Sequence, residues 1–500
     1  MRDLMMARST TDPPVRACSR ALTSTIEREI KLCVDSDFRL PHVPGGVSLP
    51  RRLLTSTYYD TAAHDLAQAR ITLRLRSERG KRAWQLKIPL GLDRQEVELA
   101  DRHDQPPAVF RELLALHLGA DQLVPVATLR VWRTGLRVRR HRAPVAEIAL
   151  DSVTVLTNGG VTQRFRELEI EQHGPDAAAL EELEQLLRRA GARDHDGRPK
   201  LFRALSLAAP APDAPPAPDA PVAMHVRWAL AQQVRWLLAH DPGTRLGTEA
   251  ESLHQMRVAT RRLRAVLRAA RPVLLPDWAA SLQGELSWLG QALGPARDLD
   301  VQIAHFTETA AGLDAHDRPP LARLVTQLRS QREHVHQAVL TELNSARYVE
   351  LIRRLQQAAH DPAMVESPLT LHDLASQEFK KLRRAVRQLG ASPEDAALHE
   401  VRIKTKRARY AAELALWSAG KPASRFIKRA RAVQDLLGTF QDALQAEIAL
   451  RAFLKTATTV HAGFVIGRLV ERQRARRETA RKSINKSLKN ALKQGQKAWD

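Results

Sequence analysis

Ionisable residues recur at every second position in several short segments of the first two hundred residues. Glu27, Glu29 and Lys31 do so, as do Arg74 and Arg76; Arg94, Glu96 and Glu98; and Glu167, Glu169 and Glu171, while Glu147 and Asp151 lie four apart. In an extended chain, side chains two apart point the same way, so each segment offers one ionised face. Carboxylates presented together supply the oxygen ligands that Mg²⁺ or Mn²⁺ prefers. Guanidinium and ammonium groups hold phosphate oxygens. Together they would neutralise charge on a phosphoryl group under attack by water. The alternative for any single segment is a solvated outer face. Against it, a water-facing sheet mixes in Ser, Thr, Asn and Gln, and carboxylates on one strand repel unless a cation sits between them.

A second pattern has a helical period. His254, Arg257, Arg261 and Arg264 step by three or four and share one face, with Arg262 beside them. His399, Arg402, Lys406 and Arg409 repeat the spacing, with Arg407 beside them. Such a stripe repels itself unless an anion offsets it, and Glu400 is the one acid interleaved. A solvated face partly paired with Asp298, Asp300 and Asp442 is the bland reading; polyanion binding is the sharper one.

The elements that carry these residues follow from periodicity. Period-two segments at Thr25–Lys31, Ile71–Arg76, Ala83–Ile88, Arg94–Leu99, Gly135–Arg139, Val145–Asp151 and Phe165–Glu171 read as strands, with helices near 107–117 and 176–190. This half is α+β and mostly antiparallel. A Pro/Ala/Asp stretch at 208–222 then reads as a semi-rigid linker. Beyond it Leu, Ala and Arg recur at spacings of three and four, the mark of helices. The segment Leu253–Arg264 is echoed by Leu398–Arg409, displaced by 145, and Gly294 and Asp298 by Gly438 and Asp442, displaced by 144. Two similar helical units are expected.

Five hundred residues exceed what one core usually supports. The net charge of +22 is uneven: residues 1–220 carry +4 and the rest +18. The second half should therefore attract polyanions: nucleic acid, an anionic membrane surface or inorganic polyphosphate. Two cysteines, Cys18 and Cys33, suit a reducing cytoplasm and no disulfide framework. No apolar run reaches the roughly 18 residues of a membrane span. The first residues lack the apolar core of a signal peptide and read as an extension.

The ordered elements Glu27-x-Glu29-x-Lys31, Tyr58-Tyr-Asp-Thr61, Thr72-Leu-Arg-Leu-Arg76, Trp84-Gln-Leu-Lys87, Arg94-x-Glu96, Arg133, Glu147-x-x-x-Asp151, Glu167-x-Glu169-x-Glu171 and Lys200 resemble the CYTH family, the triphosphate tunnel metalloenzymes. The resemblance implies an eight-stranded antiparallel barrel around a charged tunnel. It makes Glu27, Glu29, Asp151, Glu167 and Glu169 ligands for Mg²⁺ or Mn²⁺. It makes Lys31, Arg74, Arg76, Lys87, Arg94, Arg133 and Lys200 phosphate contacts, with Glu27, Glu29, Lys31 and Lys87 closest to the chemistry. Glu96, Glu147 and Glu171 would line the tunnel, whereas Tyr58 and Asp60 would close a turn. Pro199 stands where the family usually has serine. Family members act on inorganic triphosphate, thiamine triphosphate or RNA 5′-triphosphates, and a few are adenylate cyclases.

The motif HxMRVxxRRLR at 254–264 with LGxxRDLD following, and HxxRIxxKRxRY at 399–410, resemble the CHAD family over roughly residues 223–480. That resemblance implies an all-α bundle with an internal two-fold repeat that binds inorganic polyphosphate. It implies contacts from His254, Arg257, Arg261, Arg262 and Arg264, and from His399, Arg402, Lys406, Arg407 and Arg409. The expected organisation is an extension at 1–24, a tunnel domain at 25–207, a linker at 208–222 and a helical domain at 223–500. The expected activity is hydrolysis of inorganic triphosphate, in the cytoplasm or at polyphosphate granules. A non-catalytic polyphosphate binder and an enzyme for an organic triphosphate remain alternatives. A nucleic-acid binder is the third, with few aromatic residues for base stacking. The basic last thirty residues read as a frayed helix.

Overall fold

The computed structural model describes residues 22–500 apart from 91–92, 102, 120, 142, 158–159, 175–176, 209–213, 391–392 and 457–458. Nearly all of the expected extension, with Cys18, and the middle of the Pro-rich stretch lie outside the described residues. The chain divides into two compact units, residues 1–212 and 213–500.

The first unit is built on one antiparallel sheet. Its strands are β1 (Leu22–Glu27), β2 (Glu29–Cys33), β3 (Gly46–Asp60), β4 (Thr72–Glu78), β5 (Lys81–Leu90), β6 (Asp93–Ala100), β7 (Val124–Arg140), β8 (Ala143–Thr157), β9 (Gly160–Gln172) and the two-residue β10 (Arg193–Asp194). Neighbours run β1-β6-β5-β4-β3-β7-β8-β9-β2-β10. The expected eight-stranded barrel is thus corrected: the sheet has ten strands, and its hydrogen-bonded ladder is not a closed ring.

The reason lies at Arg28. The run expected as one strand changes partner there: Glu27 faces Arg94 of β6, and Glu29 faces Glu171 of β9. The covalent chain, and not a ladder, therefore joins the two sides of the sheet. Arg28 turns outward, its Nε 2.9 Å from Asp93 Oδ1. Counting β1 and β2 as one run and setting β10 aside leaves eight runs.

Alternation gives this sheet two different faces. Ile30, Leu32, Ile148, Leu150, Leu168 and Ile170 pack with Leu180, Leu183 and Leu187 of the helix Ala177–Arg189. The ionised residues between them face the other way. Asp151 and Glu167 are fully buried, so that face is interior and not solvated. Short helices α1 (Asp65–Gln68), α2 (Ala108–Leu113) and α3 (Ala115–Leu118) precede that helix, α4, and α5 (Lys200–Ala204) follows it. Gly135 is where β7 and β8 approach too closely for a side chain: a Cβ there would lie 2.3 Å from Ile148 O.

The second unit is helical: α6 (Val222–Leu246), α7 (Ala250–Ala269), α8 (Pro276–Ala311), α9 (Arg318–Leu343), α10 (Ala346–His360), α11 (Leu371–Arg387), α12 (Asp395–Leu414), α13 (Leu416–Leu454) and α14 (Val460–Trp499). The repeat in the sequence becomes α7 and α12, each of 20 residues and displaced by 145. A kink at Gly420, with φ 57°, breaks α13. The expected frayed tail is corrected: α14 runs 40 residues as one helix. It buries Ile484, Leu488, Ala491 and Trp499, and its Gly495 leaves room for Phe379, whose ring a Cβ would meet at 2.0 Å. An apolar stripe hidden among ten lysines and arginines was the signal that composition masked.

Candidate functional site

Cross-strand register assembles the charges of the first unit. Lys31 stands opposite Glu169, Asp151 opposite both Arg133 and Glu167, Lys87 opposite both Thr72 and Glu96, and Tyr58 opposite Arg74. Directly opposed residues in antiparallel pairs are close enough to interact. The result is a cavity of ≈ 100 Å³ lined by Glu27, Glu29, Lys31, Arg74, Arg76, Lys87, Arg94, Arg133, Asp151, Glu169, Glu171 and Lys200, together with Ser56, Tyr58 and Thr72.

The charges form two groups. In one, Arg133 grips Asp151 with two bonds of 2.7 Å and reaches Glu169 Oε2 at 2.7 Å. Lys31 Nζ lies 2.6 Å from Glu169, 3.2 Å from Glu167 and 3.4 Å from Glu29. Lys200, delivered by the first turn of α5, lies 2.7 Å from Asp151 and 2.9 Å from Glu169. Glu167 does not line the cavity; it is buried, with His195 Nε2 3.7 Å from its Oε2. In the other group Lys87 binds Glu27 and lies 3.8 Å from Glu96, and Arg74 also lies 3.8 Å from Glu96. Arg74 donates to Gln85 at 2.8 Å and to Tyr58 Oη at 3.2 Å.

Burial and pairing compete at every one of these groups. Burial raises the pKa of Asp151, Glu167 and Glu169, but Lys200, with Arg133 or Lys31, outweighs it and holds all three below the usual range. Burial opposes charge on Lys31, yet Glu169, Glu167 and Glu29 hold it well above its ordinary value. Arg76 is the exception. Burial, Arg74 and Arg133 push it down to about 10, and its Nε has no hydrogen-bond partner. Burial and a hydrogen bond with Glu96 raise Glu27, and burial and Glu27 raise Glu171.

Two expectations shift. Tyr58 does not close a turn; it lines the cavity and accepts from Arg74, whereas Asp60 does close one, accepting from the N–H groups of Thr61, Leu66 and Ala67. Glu147 is not among the lining residues: Arg52 and Arg137 hold it at 3.1 and 3.2 Å. His195, Gln85 and Arg52 were not singled out in the sequence. They lie outside the charged alternation, and only the fold brings them in.

In the second unit α7 and α12 pack together, and Arg261 Nε donates to Tyr410 Oη at 2.9 Å. Arg257 donates to Gly290 O at 3.0 Å, with Asp298 4.0 Å away. A Cβ on Gly294 would lie 2.7 Å from the Arg257 guanidinium, so that glycine makes the space the arginine fills. Burial, then Arg402, Arg261, Arg409 and Arg257, push Lys406 down to about 7. Burial also lowers Arg257 and Arg402, with Arg261 adding to it in both. Burial and the nearby Arg297, Arg261 and Arg257 lower His254. Cations are thus crowded against cations across two helices.

Other stripe residues are differently occupied. Arg409 is buried and donates to Glu413 at 2.8 Å. Arg407 joins Arg268, Arg271, Lys381 and Glu378 around a separate cavity of ≈ 190 Å³. Arg264 lies toward Gly290, Arg262 buries an Nε without a partner, and His399 lies on α12. Asp300 pairs with Arg332 at 2.7 Å and with no stripe arginine, whereas Asp442 lies beside Arg402. Arg297, Arg476 and His305 surround Asp442; the first two belong to the quoted LGxxRDLD motif and the basic tail, and His305 alone was not singled out.

A CYTH domain model matches residues 25–199 and a CHAD domain model matches residues 229–451. Two uncharacterised proteins from Mycobacterium tuberculosis strains are each 30% identical over 460 residues, covering 85% of this chain and 87% of theirs. Among solved structures, PptA from Streptomyces chartreusis aligns with a TM-score of 0.46 and 20% identity, over 54% of this chain and 100% of its own. The CHAD domain from the plant Ricinus communis aligns with a TM-score of 0.45 and 26% identity, over 56% of this chain and 96% of its own. No helix among the described residues is long and apolar enough to cross a membrane. The chain belongs to the family in which a CYTH domain is followed by a CHAD domain.

Proposed function

We propose that the sheet unit hydrolyses a linear triphosphate, inorganic triphosphate by preference, with Mg²⁺ or Mn²⁺, and that the helical unit binds long-chain polyphosphate. The observation that carries the first half is the cavity itself, where carboxylates and cations interleave on one interior face. Anion binding alone needs no acids, and Asp151, Glu167 and Glu169 are kept ionised there at the cost of burial.

The donor set fits a hard cation. Glu27, Glu29, Asp151, Glu167 and Glu169 offer only oxygens, and Glu167 Oε2 is buried without a hydrogen-bond partner. Lys31 and Lys200 occupy the space among four of these carboxylates, standing where positive charge is required. A bound ion supplies charge neutralisation at phosphoryl oxygens and a more acidic water. With such an ion held by the carboxylates, Lys31 and Lys200 would be available to phosphate oxygens, alongside Arg74, Arg76, Lys87, Arg94 and Arg133. Arg76, whose charge burial, Arg74 and Arg133 oppose more than Glu96 supports it, gains most from an anion. Binding in this cavity fixes the chain of phosphates and keeps bulk water out.

For the helical unit, the support is the crowding of Arg257, Arg261, Arg402 and Lys406 with few acids, which a polyanion would relieve. The test is phosphate release from tripolyphosphate, ATP, thiamine triphosphate and long-chain polyphosphate with Mg²⁺ or Mn²⁺. Release from tripolyphosphate fastest, abolished by a chelator, is the expected result. No release from any of the four with metal present would leave only the binding function.

A further inference from the structure

Within the helical unit, the turn between α8 and α9 meets the start of α14. Three side chains with metal-ligating atoms converge there: His316, Asp317 and His461, with one ligand atom of each within 4.8 Å of the others. His461 Nε2 lies 3.5 Å from Asp317 Oδ1 and 3.2 Å from the carbonyl oxygen of His316, and the two imidazole rings lie 4.3 Å apart. Ligand atoms bound at about 2.0–2.1 Å to a tetrahedral ion stand about 3.4 Å apart, so the His461–Asp317 pair is already spaced as one edge of such a site.

The surroundings orient the carboxylate. Arg468 Nη1 donates to the other oxygen, Asp317 Oδ2, at 3.0 Å, which leaves Oδ1 turned toward His461. Outer partners of this kind fix the direction of a ligand in metal sites generally. The residues are also anchored from both sides. His461 lies in the first turn of α14, whose cap is Thr459, accepting from Ala462 N at 3.1 Å. The turn carrying His316 and Asp317 opens α9, whose Leu321 and Leu324 pack with Val465 and Ile466 of α14.

We infer that His316, Asp317 and His461 form a site for a divalent transition metal, Zn²⁺ being the best match to two imidazoles and one carboxylate. The hard cations suited to the all-oxygen cavity of the sheet unit are poor competitors for imidazole nitrogen. The remaining coordination position is open to water, since His316 is exposed. The ion clamps together segments 145 residues apart in the chain. Its role is that of a staple on the helical unit: binding to the folded state alone raises stability, and closing so long a loop constrains the unfolded chain.

The experiment uses the full-length protein, stripped with chelator and dialysed against Zn²⁺ in excess Mg²⁺, with bound zinc counted per chain. The parent should hold one zinc that His461→Ala and His316→Ala each lose, with affinity falling by at least the ~10–100-fold that loss of an outer partner costs. Co²⁺ in place of Zn²⁺ should give visible absorption bands that vanish in the same two variants. Both variants should release phosphate from tripolyphosphate at the parent rate, because neither histidine lines the charged cavity of the sheet unit, and zinc should raise the melting temperature of the parent only. His316→Ala, altering an exposed side chain, keeps the test meaningful were His461→Ala to unfold. Zinc stoichiometry and cobalt spectra unchanged in both variants would overturn the assignment.

Discussion

The two charged regions of this chain hold their cations in opposite ways. In the sheet unit every lysine of the cavity has a carboxylate within 3.5 Å, and Arg76, with Glu96 as its nearest offset, is the exception that burial and other arginines outweigh. In the helical unit Lys406 is surrounded by Arg402, Arg261, Arg409 and Arg257, and Arg257 and Arg402 have only Asp298 and Asp442 near them to offset one another's charge. Neutralised and enclosed, the first can organise a metal, a water and a short run of phosphates. Unneutralised, the second can only grip, and its own repulsion favours any polyanion that arrives. On the proposed reading, one substrate chemistry, linear phosphate anhydride, would be handled by two physical strategies. One spends burial on geometry, and the other leaves charge unsatisfied.

The largest expected effect tests that separation on the helical side. Replacing Arg257, Arg261, Arg402 and Lys406 together by alanine should remove four charge-assisted contacts. At about 1.5 kcal/mol each this weakens long-chain polyphosphate roughly 10⁴-fold. Equilibrium binding measures it, and tripolyphosphate hydrolysis should not change. Loss of both together would mean that the regions act as one. The reverse experiment is Glu169→Gln, which strips one partner from Lys31, Lys200 and Arg133 at once. Turnover should fall by about 10²–10³-fold, the scale of losing one preorganised group at a reacting centre. Retained polyphosphate binding and an unchanged circular dichroism spectrum would separate this from unfolding.

Much of the sheet unit was legible because alternation is a strong signal. Glu27, Glu29, Lys31, Asp151 and Glu169 all reach the cavity, since a period of two fixes which face each takes. Strand count and closure were not legible. Nothing in Ile26-Glu-Arg-Glu-Ile30 says that the chain leaves β6 for β9 at Arg28, because both partners are remote in sequence. Tyr58 was misread for a related reason. Its neighbours Tyr59 and Asp60 do close the structure behind it, and a register shift between Tyr58 and Tyr59 divides their roles. In the helical unit the stripe was legible within each helix, and Asp442 as an acid that could pair with it, but His305 on α8 is brought to that pair only by the fold.

The repeat offers a finer comparison, since its halves are alike in sequence and unlike in packing. Gly294 is filled by the Arg257 guanidinium, whereas a Cβ on Gly438 would meet nothing within 4 Å. Gly294→Ala should displace Arg257 from Gly290 O and weaken polyphosphate binding by roughly tenfold, the worth of one charged hydrogen bond. Gly438→Ala should leave binding unchanged and stabilise α13 by about 0.5–1 kcal/mol, the ordinary gain of alanine over glycine in a helix. Binding isotherms and thermal melts of the two variants decide it. Equal effects at both positions would show that the halves of the repeat contribute alike.

The smallest effect concerns pH, and it isolates the unneutralised character of the helical site. Lys406 has its pKa lowered from 10.5 to about 7 by burial and four neighbouring arginines. Between those two pH values the unfolded chain holds the proton that the free folded protein has lost, and a bound polyanion draws the folded pKa only a small part of the way back. Binding is therefore coupled to proton uptake, and affinity falls as pH rises through about 7. Stability of the free protein moves the other way. The cost of a charged Lys406 is fully present below about pH 7 and is relieved as pH rises toward 10.5. The change in affinity should be about two- to fivefold, the worth of one partly screened charge. Lys406→Arg keeps its charge throughout this window, so it should flatten the binding profile between pH 6 and pH 9 while binding as tightly as the parent at the acid end. A parent profile already flat over that window would mean that Lys406 stays charged among the arginines, and the contrast between the two regions would then be one of geometry alone.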